Sequence, residues 1–267
     1  MTRIVVHAGF HKTGTTSVQS MIRENRSALQ AHVRCYLKPD FEDLTGAARA
    51  FSIDPDARRL AAVGREAADV FGSFDPDDPR PVLMSSEDLS GHLPGRHGLD
   101  RYDAAPLIMA QLADAARARF GDALDLIFFF STRDRAAWLR STWWQNLRST
   151  RLTEDLPTYT AKIAAAADLP AILRDVAEAV APATVAALPL EDSTKDPFGP
   201  LTPLLDLVQL PDAARAALTV LPPENQQPDL GLEQVFLALN RSDLRDKHVQ
   251  EAKRSLRQMA NRQLGLR

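Results

Sequence analysis

The residues best suited to chemistry lie in a loop near the beginning of the chain. Gly9 and Gly14 bracket a segment that carries Lys12, a short β-branched run precedes it, and a helical pattern follows it. The start of a helix offers unpaired N–H groups and the positive end of the peptide dipole. Glycine lets a ligand approach the backbone closely. We therefore predict a phosphate-binding loop that uses Gly9, His11, Lys12, Thr13, Gly14, Thr15, Thr16 and Ser17.

The order of residues in this loop differs from that of a nucleotide triphosphate loop. That motif reads G-x-x-x-x-G-K-[ST], with the lysine directly after the second glycine. Here Thr15 occupies the lysine position, and Lys12 lies two residues before Gly14. A kinase or nucleotide hydrolase is therefore an alternative that the motif does not favour. Another alternative is a solvated Lys12 beside hydroxyls that only cap the helix, although capping needs one hydroxyl and not a run.

A second stretch places an arginine at the end of an apolar run. Arg133 follows Leu124–Phe130, and Ser141 lies eight residues further on, within a helical pattern. Ligands of open α/β sheets bind at the carboxyl ends of the strands. A guanidinium binds phosphate through paired hydrogen bonds, and a hydroxyl adds one more donor. A surface salt bridge between Arg133 and Asp134 is the alternative, and we interpret the later arginines as solvated helix positions: Arg135, Arg140 and Arg148.

A third stretch supplies candidates for a general base. Glu87 follows the apolar run Val82–Met84, and His92 lies five residues further along. A carboxylate or imidazole at the end of a strand can take a proton from a substrate hydroxyl or amine. Glu87 is our first candidate for this role and His92 the second. A helix-capping role for Glu87 and an ordinary loop position for His92 are the alternatives.

Four continuous apolar runs predict the strands that position these residues. Continuous runs are typical of strands buried on both faces of a parallel sheet. Helical patterns lie between them, so we expect an α/β fold with a doubly wound parallel sheet flanked by helices. We predict one domain over residues 1–267, with a helical C-terminal part from about residue 200. The strand candidates are Ile4–Ala8, Val82–Met84, Leu124–Phe130 and Thr184–Leu190.

Composition narrows the classes of function. The net charge of the 267-residue chain is −3, which does not favour nucleic acid as a partner. Charge is uneven, because residues 133–151 contain five arginines and one acid. Cys35 is the single cysteine, so no intrachain disulfide can form and a cytoplasmic location is expected. No apolar run has the length of a membrane helix, and no H-x-x-x-H or H-E-x-x-H spacing predicts a metal site.

The K-T-G-T-T-S run at Lys12–Ser17, together with the spacing of Arg133 and Ser141, resembles the sulfotransferases that use 3′-phosphoadenosine 5′-phosphosulfate (PAPS), in particular their bacterial members. The stretch Pro223-Glu224-Asn225 before a late helix is also similar to these proteins. The resemblance implies a P-loop-like sulfotransferase architecture and PAPS as the co-substrate, without a metal. It further implies that Lys12 and the adjoining loop bind the 5′-phosphosulfate, and that Arg133 and Ser141 bind the 3′-phosphate.

The activity implied by this resemblance is transfer of a sulfuryl group from PAPS to a hydroxyl or amine of a glycan, a lipid or a small molecule. Glu87, or alternatively His92, then acts as the base. Ser90–Asp103, which we expect to be a flexible loop or lid, and the C-terminal third are expected to form the acceptor pocket. A non-catalytic nucleotide-binding protein remains an alternative. The sequence identifies neither the acceptor nor the oligomeric state.

Overall fold

A five-stranded parallel sheet organises the chain in the computed structural model, which describes residues 1–193, 195–222 and 231–263. The strand order is β2-β3-β1-β4-β5, and every neighbouring pair is parallel. All five carboxyl ends therefore lie at the same edge of the sheet. The strands are β1 (Thr2–His7), β2 (Arg34–Leu37), β3 (Val82–Ser85), β4 (Leu124–Thr132) and β5 (Thr184–Pro189).

The strand register brings the predicted chemical residues together. The last residue of β1, His7, is level with Ser85 on one side and with Phe129 on the other. The loop after β1 and the segment after β3 therefore leave the sheet side by side. Strand β4 continues three residues beyond this level to Thr132, so Arg133 leaves the sheet beside the loop of β1.

Helices cover both faces of the sheet, as predicted for a doubly wound arrangement. They are α1 (Thr15–Glu24), α2 (Arg26–Leu29), α3 (Glu42–Ile53), α4 (Ala57–Gly72), α5 (Ala105–Phe120), α6 (Arg135–Ser149), α7 (Leu156–Lys162), α8 (Leu169–Val180), α9 (Leu190–Ser193), α10 (Thr202–Leu207), α11 (Asp212–Ala216), α12 (Leu232–Arg241) and α13 (Asp246–Gln263). Short 3-10 turns lie at Lys38–Phe41, Glu87–Ser90, Gly121–Ala123, Ala164–Ala167 and Gly199–Leu201.

Two hydrophobic cores flank the sheet because successive side chains of a strand point to opposite faces. On β1, Ile4 and Val6 pack into the larger core, and Val5 packs into the smaller one. The larger core contains residues of α3–α6 and α8, and the smaller core contains residues of α1 and α10. Burial on both faces explains why the apolar runs of β1, β3 and β4 are continuous.

All four predicted strands are present, with two differences. The structure adds β2, whose short sequence Arg34–Leu37 mixes charged and apolar residues and gave no continuous apolar run. The last strand, β5, is an edge strand with partly exposed side chains. Our expectation that it is buried on both faces was therefore wrong, because neither face of β5 carries a fully buried side chain.

The described elements after β5 are helical, and they hold α6 in position. Lys253 of α13 is buried and donates hydrogen bonds to the carbonyl oxygens of Leu147 (2.8 Å) and Thr150 (2.7 Å) at the end of α6. A cation at this position satisfies carbonyl groups that the helix leaves unpaired. Of the helices that the structure describes, none is both long and apolar enough to cross a membrane.

Candidate functional site

The loop between β1 and α1 adopts backbone angles that its glycines permit. Gly9 and Gly14 have φ values of 51° and 98°, and Lys12 has φ of 70°. The backbone conformation at Gly14 requires glycine, and an added Cβ atom would also displace the flexible end of the Leu190 side chain, whose Cδ1 atom would lie 2.8 Å away. A left-handed backbone conformation is uncommon for residues other than glycine, so the conformation of Lys12 is strained. Strain of this kind persists where the surrounding structure holds it, and it is concentrated at functional sites.

Buried donors hold the carbonyl oxygens of this loop. The Trp138 indole N–H donates to the His11 carbonyl oxygen at 2.8 Å. The Arg133 guanidinium donates to the Lys12 carbonyl oxygen at 3.1 Å. The buried Thr13 hydroxyl donates to the Phe10 carbonyl oxygen at 2.6 Å. The loop is therefore fixed by groups from α6 and β4 before any ligand arrives.

The start of α1 has the features of an anion site. Gly14 is its N-cap residue, no side chain caps the helix, and no acidic residue lies in its first turn. The hydroxyls that follow Gly14 therefore do not serve as its cap, which was one alternative for this sequence. The Thr15 side chain is 3% exposed, and its buried hydroxyl oxygen has no hydrogen-bond partner among the described residues. An unpaired buried polar atom beside open helix N–H groups is a place where an anionic ligand gains hydrogen bonds.

Lys12 lies in an electrostatically positive environment. The pKa of its ammonium group is lowered to about 8. Burial is the main cause, the charges of Arg148 and Arg133 add to the decrease, and the charge of Glu87 opposes it. An anion bound beside Lys12 would reverse this shift, because an opposite charge favours the protonated form. The site is therefore arranged to take up negative charge.

Arg133 leaves β4 and reaches the same site. No described acid forms an ion pair with it, and its buried Nε atom has no hydrogen-bond partner in the described part of the chain. Asp134, the alternative partner considered above, instead caps α6 by accepting a hydrogen bond from the Ala137 N–H at 2.9 Å. Ser141 lies on α6 as predicted and lines the same cleft as Arg133. The structure therefore leaves the Arg133 guanidinium available to a ligand.

A cleft of about 1300 Å³ brings together most of the predicted site residues. Gly9 and Thr13 are buried behind the loop and support it without lining the cleft. The predicted residues that line it are His11, Lys12, Gly14, Thr15, Thr16, Ser17, Glu87, His92, Arg133 and Ser141.

Glu87 is the first residue of the 3-10 turn after β3. The helix-capping role considered for it belongs to Ser86, whose hydroxyl oxygen accepts the Asp88 N–H at 3.3 Å. The Gln19 side-chain amide donates to Glu87 Oε2 at 3.2 Å and orients the carboxylate. Glu87 and Lys12 both line the cleft, and the charge of Glu87 favours the protonated form of Lys12.

Asp88, which the sequence did not single out, organises a charged network beside Glu87. Its carboxylate contacts Lys38 Nζ at 2.6 Å, His11 Nε2 at 3.4 Å and Arg49 Nε at 3.8 Å. Burial alone would raise the pKa of Asp88, but hydrogen bonds from His11 and Lys38 outweigh it and hold the pKa well below its usual range. The other ring nitrogen of His11 lies 3.2 Å from the Tyr102 hydroxyl. His11 is thus held by two neighbours at the edge of the cleft.

His92 lines the cleft, but its surroundings disfavour protonation of the imidazole ring. Its side chain is buried, its Nδ1 atom lies 3.3 Å from the Leu93 carbonyl oxygen, and its ring contacts that of His97. Burial lowers the pKa of His92 to about 4, and the positive charge of Arg49 adds to this effect. His92 is therefore neutral at physiological pH and a weak base.

His7 lies beneath the loop as a core residue. Its ring nitrogens lie 2.9 Å from the Ser85 hydroxyl and 3.4 Å from the Ser131 hydroxyl. Burial lowers the pKa of His7 to about 4. His7 therefore joins the ends of β3 and β4 as a neutral hydrogen-bonding side chain.

The segment at residues 90–103 is packed and differs from the flexible lid that we expected. Leu93 and Tyr102 are buried, and a Cβ atom on Gly95 would lie 2.5 Å from the Tyr159 hydroxyl. Glycines here allow close packing as well as turning. The segment contributes His92, Leu93 and Arg96 to the wall of the cleft.

The cleft wall contains basic residues that the sequence analysis missed or misassigned. Arg148 is half-buried and lines the cleft, so our interpretation of it as a solvated helix position was wrong. Arg140 also lines the cleft, although it is exposed and paired with Glu233 at 3.1 Å. Only Arg135 is exposed and absent from the lining. The lysines and arginines in the described lining number seven, and the acidic side chains number three. The basic ones are Lys12, Lys38, Arg49, Arg96, Arg133, Arg140 and Arg148. The acidic ones are Glu87, Asp88 and Asp196.

Apolar residues from the C-terminal part close one side of the cleft. They are Leu190, Pro197, Pro200, Val220, Leu221 and Pro222. The three tryptophans of α6 belong to the core and do not line it. The stretch Pro223-Glu224-Asn225 lies outside the described residues. Across the described chain, no cluster of three or more His, Cys, Asp or Glu side chains is placed to hold a metal ion.

No protein-family model matches this chain, and no curated protein sequence matches it. The function is therefore inferred from the geometry and chemistry of the cleft.

Proposed function

We propose that the protein is a PAPS-dependent sulfotransferase with a P-loop-like architecture. The observation that carries this proposal is the meeting of two anion sites in one cleft. The open start of α1 with Lys12 forms one, and Arg133 with Ser141 forms the other. Two such sites suit a nucleotide with phosphate groups at both its 5′ and 3′ positions. The apolar side of the cleft, formed in part by Leu190 and Pro200, suits its adenine ring.

The residues divide the work of binding the donor. The N–H groups and hydroxyls at the start of α1 hold the 5′-phosphosulfate, and the unpaired Thr15 hydroxyl gains a partner there. Arg133 binds the 3′-phosphate through its free guanidinium N–H groups, and Ser141 adds a hydroxyl donor. This second contact favours PAPS over nucleotides that lack a 3′-phosphate, such as ATP.

Transfer requires charge stabilisation and a base. The bond between sulfur and the bridging oxygen of the phosphosulfate breaks, and a bond between sulfur and the acceptor oxygen or nitrogen forms. Lys12 stabilises the negative charge that collects on the departing oxygen. Glu87 takes the proton of the acceptor, and the fact that Glu87 and Lys12 line the same cleft supports this division of roles. Glu87 is preferred to His92 as the base because the Gln19 amide orients its carboxylate in the cleft, whereas the His92 ring is buried against the ring of His97.

Nucleotide binding and transfer test the proposal separately. Calorimetry is expected to show that adenosine 3′,5′-bisphosphate binds at least tenfold more tightly than adenosine 5′-monophosphate. Labelled PAPS, offered with a panel of hydroxyl and amine acceptors, is expected to yield a sulfated product. Tight binding without transfer to any acceptor would favour a non-catalytic nucleotide-binding protein. Magnesium-dependent ATP turnover would favour a kinase or hydrolase and overturn the proposal.

The assignment of the base has its own test. Glu87→Gln is expected to reduce kcat by 10²-fold or more, because general-base catalysis contributes about 10²–10⁴-fold. Its affinity for adenosine 3′,5′-bisphosphate should stay within about twofold of the unaltered protein. A Glu178→Gln variant, which alters an exposed carboxylate on α8, is the matched control. Full activity of Glu87→Gln would transfer the role to His92.

A further inference from the structure

Three arginines form a basic wall in the cleft that the donor sites do not use. Arg49 comes from α3, Arg96 from the packed segment before α5, and Arg148 from the last turn of α6. We call these three residues the arginine wall. Each is half-buried, and their charges act on one another. Burial lowers the pKa of Arg96, with a further contribution from Arg49, and burial lowers the pKa of Arg148 to about 10, with contributions from Arg257 and Arg96.

Two members of the arginine wall have only neutral partners. Arg96 donates to the Asn146 side-chain oxygen and to the Ser149 hydroxyl, both at 2.5 Å. Arg148 donates to the Gln145 side-chain oxygen at 3.1 Å. No acid among residues 1–193, 195–222 and 231–263 forms an ion pair with either of them. Two half-buried like charges without a counter-ion are unfavourable, and a bound anion would remove that penalty.

The position of the arginine wall separates it from the 3′-phosphate site. Arg148 lies seven residues beyond Ser141 on α6, about 10 Å along the helix at roughly 1.5 Å per residue. Ser141, Gln145 and Arg148 follow one face of the helix, and all three line the cleft. Arg148 is also close enough to Lys12 to lower its pKa. The arginine wall is therefore separate from the Ser141 position, and one of its members, Arg148, acts electrostatically on Lys12.

We propose that the acceptor carries an anionic group, a carboxylate or a phosphate ester, which Arg96 and Arg148 bind while the acceptor hydroxyl or amine faces Glu87. This proposal rests on the proposed function, because it assigns the part of the cleft that the donor leaves open. The planar guanidinium matches both carboxylate and phosphate through paired hydrogen bonds. Arg49 adds charge at the far end of the wall, although Asp88 partly neutralises it.

The experiment uses the full chain saturated with adenosine 3′,5′-bisphosphate, so that the donor sites are occupied. Three matched probes are titrated and followed by ligand-observed NMR: glucose, glucuronate and glucose 6-phosphate. Glucuronate or glucose 6-phosphate is expected to bind at least tenfold more tightly than glucose, and the tighter of the two identifies the anion as a carboxylate or a phosphate. Arg96→Gln and Arg148→Gln are each expected to reduce that affinity at least fivefold.

Control variants separate this proposal from the proposed function. Arg135→Gln alters an exposed arginine on the same helix and should leave anion binding unchanged. Arg148→Lys should retain more anion affinity than Arg148→Gln, and it serves as the test if the glutamine variant does not fold. Equal binding of all three probes would overturn the proposal that the acceptor is anionic. A tenfold loss of affinity for adenosine 3′,5′-bisphosphate in Arg148→Gln would also overturn it, because Arg148 would then belong to the donor site. Failure of the unaltered protein to bind that nucleotide would instead overturn the proposed function.

Discussion

The Arg133 guanidinium donates a hydrogen bond to the carbonyl oxygen of Lys12 at 3.1 Å. Arg133 directly follows β4, and Lys12 belongs to the loop after β1, 121 positions earlier in the chain. This bond couples the two predicted anion sites, because the arginine that would bind one phosphate also supports the loop that would bind the other. The remaining Arg133 Nε atom has no hydrogen-bond partner in the described structure.

Loss of Arg133 is expected to remove selectivity for a 3′-phosphate. Arg133→Gln should bind adenosine 3′,5′-bisphosphate roughly 10- to 150-fold more weakly, since a hydrogen bond to a charged group contributes about 1.5–3 kcal/mol. Affinity for adenosine 5′-monophosphate should change much less. Calorimetric titration of both nucleotides measures the ratio, and Arg135→Gln serves as the control on the neighbouring exposed arginine. An unchanged ratio would show that Arg133 only supports the loop.

The affinity for nucleotide is expected to depend on pH through Lys12. Its pKa in the free protein is lowered to about 8, and a bound anion raises it, so binding is accompanied by proton uptake near that pH. Affinity for adenosine 3′,5′-bisphosphate should be highest below pH 8 and fall as the pH rises above it, by up to about tenfold per unit. The phosphate groups are already ionised there, because their second pKa is about 6.

Substitution of Lys12 tests this pH dependence directly. Lys12→Ala should bind more weakly at pH 7 and show a flatter affinity profile between pH 7 and 9. Lys162→Ala, which alters an exposed lysine on α7, should keep the original profile. A steep profile that survives in Lys12→Ala would assign the titration to another group.

A side chain at Gly14 is expected to destabilise the protein, chiefly through the backbone conformation of this residue. An added Cβ atom would lie 2.8 Å from Leu190 Cδ1, and the φ of 98° is strained for any other residue. Gly14→Ala should lower stability by roughly 1–3 kcal/mol and weaken nucleotide binding. Gly46→Ala on α3 is the matched control, because a Cβ atom there has no neighbour within 4 Å, and it should stabilise the protein by about 0.5–1 kcal/mol. Urea unfolding measures both effects, and equal stability of the two variants would contradict the argument from backbone strain.

The buried His7 is expected to make the fold sensitive to acid. Its pKa falls from the ordinary 6.5 to about 4 on folding, so the unfolded chain binds more protons between these values. Stability should therefore decline as the pH falls from about 6.5 to 4, with a contribution from His7 of roughly 3 kcal/mol. Urea unfolding across this range measures the slope.

A matched pair of histidine variants assigns this slope. His7→Gln should show a shallower decline, but a decline should remain because burial also lowers the pKa of His92 to about 4. His32→Gln alters an exposed histidine and should leave the slope unchanged. If His7→Gln retained the full slope, the acid sensitivity would belong to other groups.

Local sequence patterns were sufficient to predict the loop after β1 and the three central strands that surround it, β1, β3 and β4. The apolar runs of β1, β3 and β4 are continuous because both faces of these strands are buried. Burial of this kind can therefore be recognised from the sequence. Lys12 and Arg133 each follow such a run. Since the carboxyl ends of parallel strands lie at the same edge of a sheet, the proximity of Lys12 and Arg133 could be predicted before the strand order was known.

The tertiary structure alone decided which distant residues complete the cleft. Asp88 with its network, and the arginine wall, depend on contacts between α3, the packed segment before α5 and the end of α6. Arg148 has the same local sequence character as the exposed Arg135, and only the packing of α6 turns one toward the cleft and leaves the other in solvent. Helical periodicity fixes which residues share a face, but the neighbours of that face are set by long-range packing, which leaves no local pattern.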